Sequence, residues 1–131
     1  MLETFQTYFK DNWVLAKAMQ LITGRITLEI HTNSSSNVMA SGVEVVSLPK
    51  DKQLAQLIAG KVAKTLVTNV RRDAGWLDPN TIKRERGFFP GFVRGGGMIL
   101  ETFFQSNKRE LESYDAKEWL VATAIVEALT T

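Results

Sequence analysis

Glu101 lies in a stretch where charge needs a reason: Met98-Ile99-Leu100 precede it and Phe103-Phe104 follow. A carboxylate in an apolar strand is costly unless it is paired or bound to a metal. Enzymes hold general bases in such settings, because burial raises the carboxyl pKa toward neutrality. The plain structural alternatives are an open face of an edge strand, or an ion pair with an arginine such as Arg94. His31 is the only histidine, so any Ser-His-Asp or His-metal arrangement must use it. Glu29, His31 and Asn33 share one side of the chain if the strand there runs on to Asn33. Polar strand ends are where α/β proteins build sites. A half-buried histidine satisfied by a backbone carbonyl is the alternative. Glu44, in Gly42-Val43-Glu44-Val45, is suited to orienting a ligand from behind, or is a solvated strand position.

Other clusters carry less. Lys83-Arg84-Glu85-Arg86 with Phe88, Phe89 and Arg94 is basic with interleaved aromatics, a pattern that can hold phosphate or single-stranded nucleic acid. Glu85 breaks the patch, so a solvated loop over a small apolar cluster is preferred and nucleic acid is not an expected partner. Gly95-Gly96-Gly97 has neither a following helix nor a following lysine, so it is not a phosphate loop. Asn33-Ser34-Ser35 matches the glycosylation pattern, which is discounted because no secretory signal begins the chain.

Composition narrows the classes. With no cysteine, disulfide scaffolds, thiol catalysis and cysteine-ligated metals are excluded. The net charge of +2 is a weak field despite a pI near 9.0, and does not imply nucleic acid. No apolar run is long enough to span a membrane. The 131 residues are expected to form one domain over 1–131.

These residues must be positioned by regular elements. Spacing of three and four predicts a helix over 3–22, with Phe5, Phe9 and Trp13 on its stripe and Gly24 ending it. The segment 25–31 alternates, with Ile26, Leu28 and Ile30 on one face and Thr27, Glu29 and His31 on the other, which predicts a strand. Asn33 to Asn37 reads as a loop and Val43 to Leu48 as a second strand. Pro49-Lys50-Asp51 opens a helix to about Asn69, with Leu54, Leu57, Ile58, Val62 and Leu66 buried. Residues 70–86 are turn-rich. A short strand is expected over Phe88 to Val93, and an apolar strand over Met98 to Phe104. A last helix is expected over 116–129, with Trp119, Leu120, Thr123, Ile125 and Val126 inward. The alternation predicts an α/β fold, a twisted mixed sheet flanked by helices. The chain is read as opening on a helix with no strand before it.

Three segments occur in order: Ile30-His31-Thr32-Asn33, Gly42-Val43-Glu44-Val45, and Ile99-Leu100-Glu101-Thr102-Phe103-Phe104-Gln105-Ser106-Asn107. With them the chain resembles the zinc-dependent N-acetylmuramoyl-L-alanine amidases of the family-3 type, including phage endolysin catalytic domains. The resemblance implies that His31 is a zinc ligand and Glu101 the catalytic carboxylate. Gly42 and Glu44 match a structural strand, and Ser106 and Asn107 match the turn after the catalytic strand. Zinc would lower the pKa of its water toward ~7, and Glu101 would take that water's proton. The family's site uses two histidines and one glutamate, and two of these precede the part matched here. The resemblance therefore covers the C-terminal two thirds of such a domain, lacking the family's first strand and first helix. Glu3 is a poor substitute ligand, whereas Glu29 could line the site.

The expected substrate is peptidoglycan. A non-catalytic wall-binding or split remnant is the rival, and a small basic nucleic-acid module a more distant one. Exposed apolar surface is expected to recruit a second copy or a partner chain. The expected location is the cytoplasm until release to the cell wall.

Overall fold

Alternation of apolar and polar side chains sets the sheet. The computed structural model of the chain describes residues 2–3, 26–82 and 90–130. Leu2–Glu3 (β1) pairs parallel with the start of Ile26–Asn33 (β2). The expectation that no strand precedes the first helix is thus corrected, since the backbone of two residues at the start completes a sheet edge. The helix expected over 3–22, with Phe5, Phe9 and Trp13, otherwise lies outside the described residues.

Glu44–Val46 (β3) is shorter than the Val43–Leu48 expected, because Val43 pairs only through an isolated bridge to Val70. Pro49–Asp51 forms one 3-10 turn, which runs into the helix Lys52–Leu66 (α1). Trp76–Leu77 (β4) pairs parallel with β3, and Pro79–Thr81 makes a second 3-10 turn. Pro90–Arg94 is a short helix (α2), not the strand expected across Phe88 to Val93. Proline suits the first helical position, where its missing N–H costs no hydrogen bond. Phe88 and Phe89, like the basic run 83–86, fall outside the described residues. Met98–Phe104 (β5) is the strand expected, and Lys108–Thr130 (α3) closes the chain.

The five strands lie in the order β1-β2-β5-β3-β4. β5 is parallel to β2 and antiparallel to β3. One face of the sheet packs Leu28, Val43, Val45 and Leu100 against Ile58 and Val62 of α1 and Val121 and Ile125 of α3. The other face joins Val46, Ile99 and Leu77 to Phe92 and Val93 of α2. Each fully buried aliphatic side chain stabilises the fold by roughly 1.5–3 kcal/mol.

Two helix faces differ from expectation. On α1, Leu57 is exposed, while Ala55, Ala59 and Ala63 join Ile58, Val62 and Leu66 inside. On α3, Trp119 is 81% exposed, and Leu120, Thr123 and Val126 also face outward. The inward stripe is Val121, Ala124, Ile125 and Ala128. Alanines let α1 and α3 approach each other closely, leaving no space for an indole between them. α3 also starts eight residues before the 116 expected. Asn107 caps it, its side-chain oxygen accepting the Glu110 N–H at 3.2 Å.

Candidate active site

His31 and Glu101 are register partners on the neighbouring strands β2 and β5, and Glu44 is the register partner of Glu101 on β3. Residues opposite one another in a sheet point to the same face. A row of His31, Glu101 and Glu44 therefore crosses the centre of the sheet on the α2 side. Glu29, two residues before His31, lies on that face as well.

The imidazole is held between two carboxylates. Its Nε2 is 3.0 Å from Glu29 Oε1, and its Nδ1 is 3.9 Å from Glu101 Oε1. The hydrogen bond to Glu29 raises the His31 pKa. Burial opposes this, and the charges of Glu29 and Glu101 reinforce it. The Glu101 side chain is only 7% exposed. Burial pushes its pKa up to about 7; His31 pulls against that, while Glu44 and Glu29 add to it. Neither alternative for Glu101 holds, since the strand is central and the neighbouring group is His31, not Arg94. At this position the β2–β5 register shifts between His31 and Asn33, a local irregularity of the kind that re-aims side chains beside sites. Thr102 spans it, donating its hydroxyl to the His31 carbonyl at 2.7 Å.

Glu44 is buried and well satisfied. Asn33 Nδ2 donates to it at 3.1 Å and Arg72 Nε at 3.0 Å, with Arg71 Nε 3.5 Å away. Asn33 thus reaches the site through Glu44 and not through His31. The loop that carries the arginines is fitted closely to the strand. Gly42 has φ +111°, and a Cβ there would lie 2.6 Å from Asn69 and 2.8 Å from Arg71. Arg72 itself holds a left-handed φ of 55°.

Arg71 and Arg72 were not expected from the sequence. They sit in a turn-rich stretch, and only the tertiary fold brings them to Glu44. Glu110 was missed too. It is buried, accepting from the backbone N–H groups of Gly42 and Phe104 and from the Thr68 hydroxyl. The spacing Asn107-x-x-Glu110 is a helix-start signature that marks it.

The arrangement can hold a proton near neutral pH on a buried carboxylate. A metal fits less well. One oxygen of Glu29 and one of Glu101 are buried without a hydrogen-bond partner, a setting that suits a cation. The donor set stops short, however. There is a single imidazole with both nitrogens turned to carboxylates, and no three His, Cys, Asp or Glu side chains among the described residues are arranged to hold a metal ion. These residues alone do not make a zinc site.

Residues 9–131 match the profile of the N-acetylmuramoyl-L-alanine amidase family. An N-acetylmuramoyl-L-alanine amidase structure from Neisseria meningitidis is similar to this chain at 31% identity and a TM-score of 0.79, over 90% of this chain and 64% of that one. The catalytic domain of the CD27L endolysin, which targets Clostridia difficile, is similar at 21% identity and TM-score 0.66, over 95% and 66%. The CwlV amidase catalytic domain of Bacillus (Paenibacillus) polymyxa gives 21% and 0.58, over 88% and 60%. These last two likenesses concern the fold alone. The chain thus spans somewhat less than two thirds of the length of these solved relatives. Among curated protein sequences none matches it.

Proposed function

The chain belongs to the N-acetylmuramoyl-L-alanine amidase family, and from that premise we propose that it carries the catalytic carboxylate of a peptidoglycan hydrolase. The bond cut is the amide between N-acetylmuramic acid and the L-alanine of the stem peptide. The observation that supports this most is Glu101, a buried carboxylate with one unpartnered oxygen and a pKa near 7. A base is most effective when its pKa lies near the working pH. In the proposed reaction Glu101 takes a proton from a water molecule as the water oxygen adds to the amide carbonyl carbon. The C–N bond then breaks, and the proton passes to the leaving nitrogen of alanine. The products are a muramic acid carboxylate and a peptide with a free amino terminus. His31, held by Glu29, keeps the Glu101 carboxylate oriented.

The family is typically zinc-dependent. We assign His31 as the described residue that would contribute to such a site, with its other donors coming from outside the described residues. Endolysin-like patterns around His31 and Glu101 support a phage or prophage setting, with release from the cytoplasm to the wall. A second copy of the chain or another partner chain is proposed beside peptidoglycan itself.

One observation favours a second reading, a wall-binding protein without turnover: no three side chains among the described residues are arranged to hold a metal ion. Digestion of purified cell walls separates the two. Mass spectrometry should find peptides with newly free amino-terminal alanine in the presence of zinc, and none with Glu101→Gln. Wall binding without release, by a chain that retains no zinc, would establish the second reading instead.

A further inference from the structure

We infer that the cavity beside Glu44 receives a carboxylate from the peptide side of the scissile amide, gripped by Arg71 and Arg72. This deepens the amidase reading and rests on it. The cavity has a volume of about 480 Å³, and its wall includes Ser34, Ser35, Glu44, Arg71, Arg72 and Thr81.

The wall presents donors. Two guanidinium groups face one carboxylate, so the cavity keeps a local positive excess. The acceptor capacity of Glu44 is already engaged by Asn33, Arg72 and Arg71. Arg72 spends only its Nε on Glu44, and among the described residues its terminal nitrogens have no hydrogen-bond partner, the side chain being half exposed. Arg71 gives one terminal nitrogen to the Ser41 carbonyl and lies over the Phe104 ring at 4.8 Å, which fixes its plane. The Ser35 hydroxyl oxygen accepts from the Asn37 N–H, so its own proton is free to donate into the cavity. Arg72 also holds a left-handed backbone conformation that residues with side chains rarely adopt, and such outliers gather at ligand clamps.

A planar guanidinium with uncommitted N–H groups matches a carboxylate in two-pronged fashion. The amide under attack consumes the carboxyl group of muramic acid, and the sugar otherwise offers neutral hydroxyl and acetamide groups. A free carboxylate must therefore come from the peptide. The placement agrees. Glu44 stands opposite Glu101, and antiparallel register partners are about 4.5–5.5 Å apart at Cα. A peptide anchored in the cavity lies within a residue or two of the reacting bond.

The test uses the full chain carrying Glu101→Gln, so that turnover cannot consume the probe. Binding of a soluble N-acetylmuramoyl tripeptide with free carboxylates is compared by calorimetry with binding of its fully amidated form. Amidation should weaken binding about 10- to 100-fold, the loss expected for charge-assisted hydrogen bonds. Arg72→Gln should weaken the acid form to a similar degree and leave the amidated form unchanged. Equal binding of the two forms overturns the carboxylate site while leaving the peptidoglycan reading intact. Sensitivity to amidation that survives Arg72→Gln places the carboxylate elsewhere and also overturns it. Failure of both forms to bind overturns both readings. The comparison of ligands needs no variant at Arg72, so it stands even if that substitution unfolds the chain.

Discussion

Glu44 and Glu101 face each other across adjacent antiparallel strands, two buried carboxylates of which only the first has both oxygens hydrogen-bonded. Like charges directly opposite in a sheet destabilise it. Arg71 and Arg72 offset the charge of Glu44 from outside the sheet. Glu101 has only His31 to offset burial and the charges of Glu44 and Glu29, so the fold favours its protonated form.

Glu101→Gln should therefore leave the chain at least as stable as the parent. A neutral amide is cheaper to bury than an unpaired carboxylate. Urea unfolding at neutral pH checks this, and a loss of more than about 1 kcal/mol would show that the carboxylate supports the fold.

The pH dependence follows from the same group. The Glu101 pKa is about 7 in the folded chain against an ordinary 4.5, so between those values the folded state binds the proton more tightly than the unfolded state. Its contribution is complete below about pH 4.5 and is lost as pH rises through about 7. The raised pKa of His31 acts in the same direction, since its contribution is lost as pH rises through the folded value. With a chelator present, the urea midpoint should fall between pH 4.5 and 8, with a contribution from Glu101 on the order of 1–3 kcal/mol. Glu101→Gln should flatten most of that slope. A midpoint that climbs over this window would contradict the assignment.

Glu110 should matter more to stability than any residue in the acidic row. It ties the entry to β3, the end of α1 and the end of β5 to the first turn of α3. Glu110→Ala leaves two buried backbone N–H groups unpaired and should cost about 3–5 kcal/mol. Glu110→Gln keeps one acceptor oxygen and should cost clearly less. Thermal melts of the two variants side by side decide it, equal losses being the adverse result.

The two faces of α3 make a further contrast. Ile125→Ala should cost roughly 2–5 kcal/mol through lost burial and a cavity. Trp119→Ala should fall within about 0.5 kcal/mol of the parent, as exposed substitutions do. Comparable losses in denaturant unfolding would mean that the helix packs by its other face.

Strands were the legible part of this sequence. The two-residue period of 26–31 and the apolar run of 98–104 depend only on neighbours in the chain, and both strands lie where the pattern puts them. Glu101 was legible for the same reason, being a charge out of pattern. What escaped depends on distant partners. Arg71 and Arg72 acquire meaning only once β3 meets their loop. The α3 face was misjudged because a tryptophan suggests burial, whereas the alanines that pack against α1 give no signal of size. The strand expected over Phe88 to Val93 rested on apolar residues around Pro90, although proline serves equally well to begin a helix.

β5, the last strand in the chain, sits between β2 and β3, which precede it by more than fifty residues. Until it arrives, those two strands have no central partner, and each presents an open edge of the kind that invites wrong pairings. Closing contacts so distant in sequence is entropically slow. As synthesis proceeds from the amino terminus, neither the centre of the sheet nor the His31–Glu101–Glu44 row exists before residues 98–104 are made. The same insertion that completes the sheet delivers Glu101, so the chain cannot gain this buried carboxylate before it gains its fold.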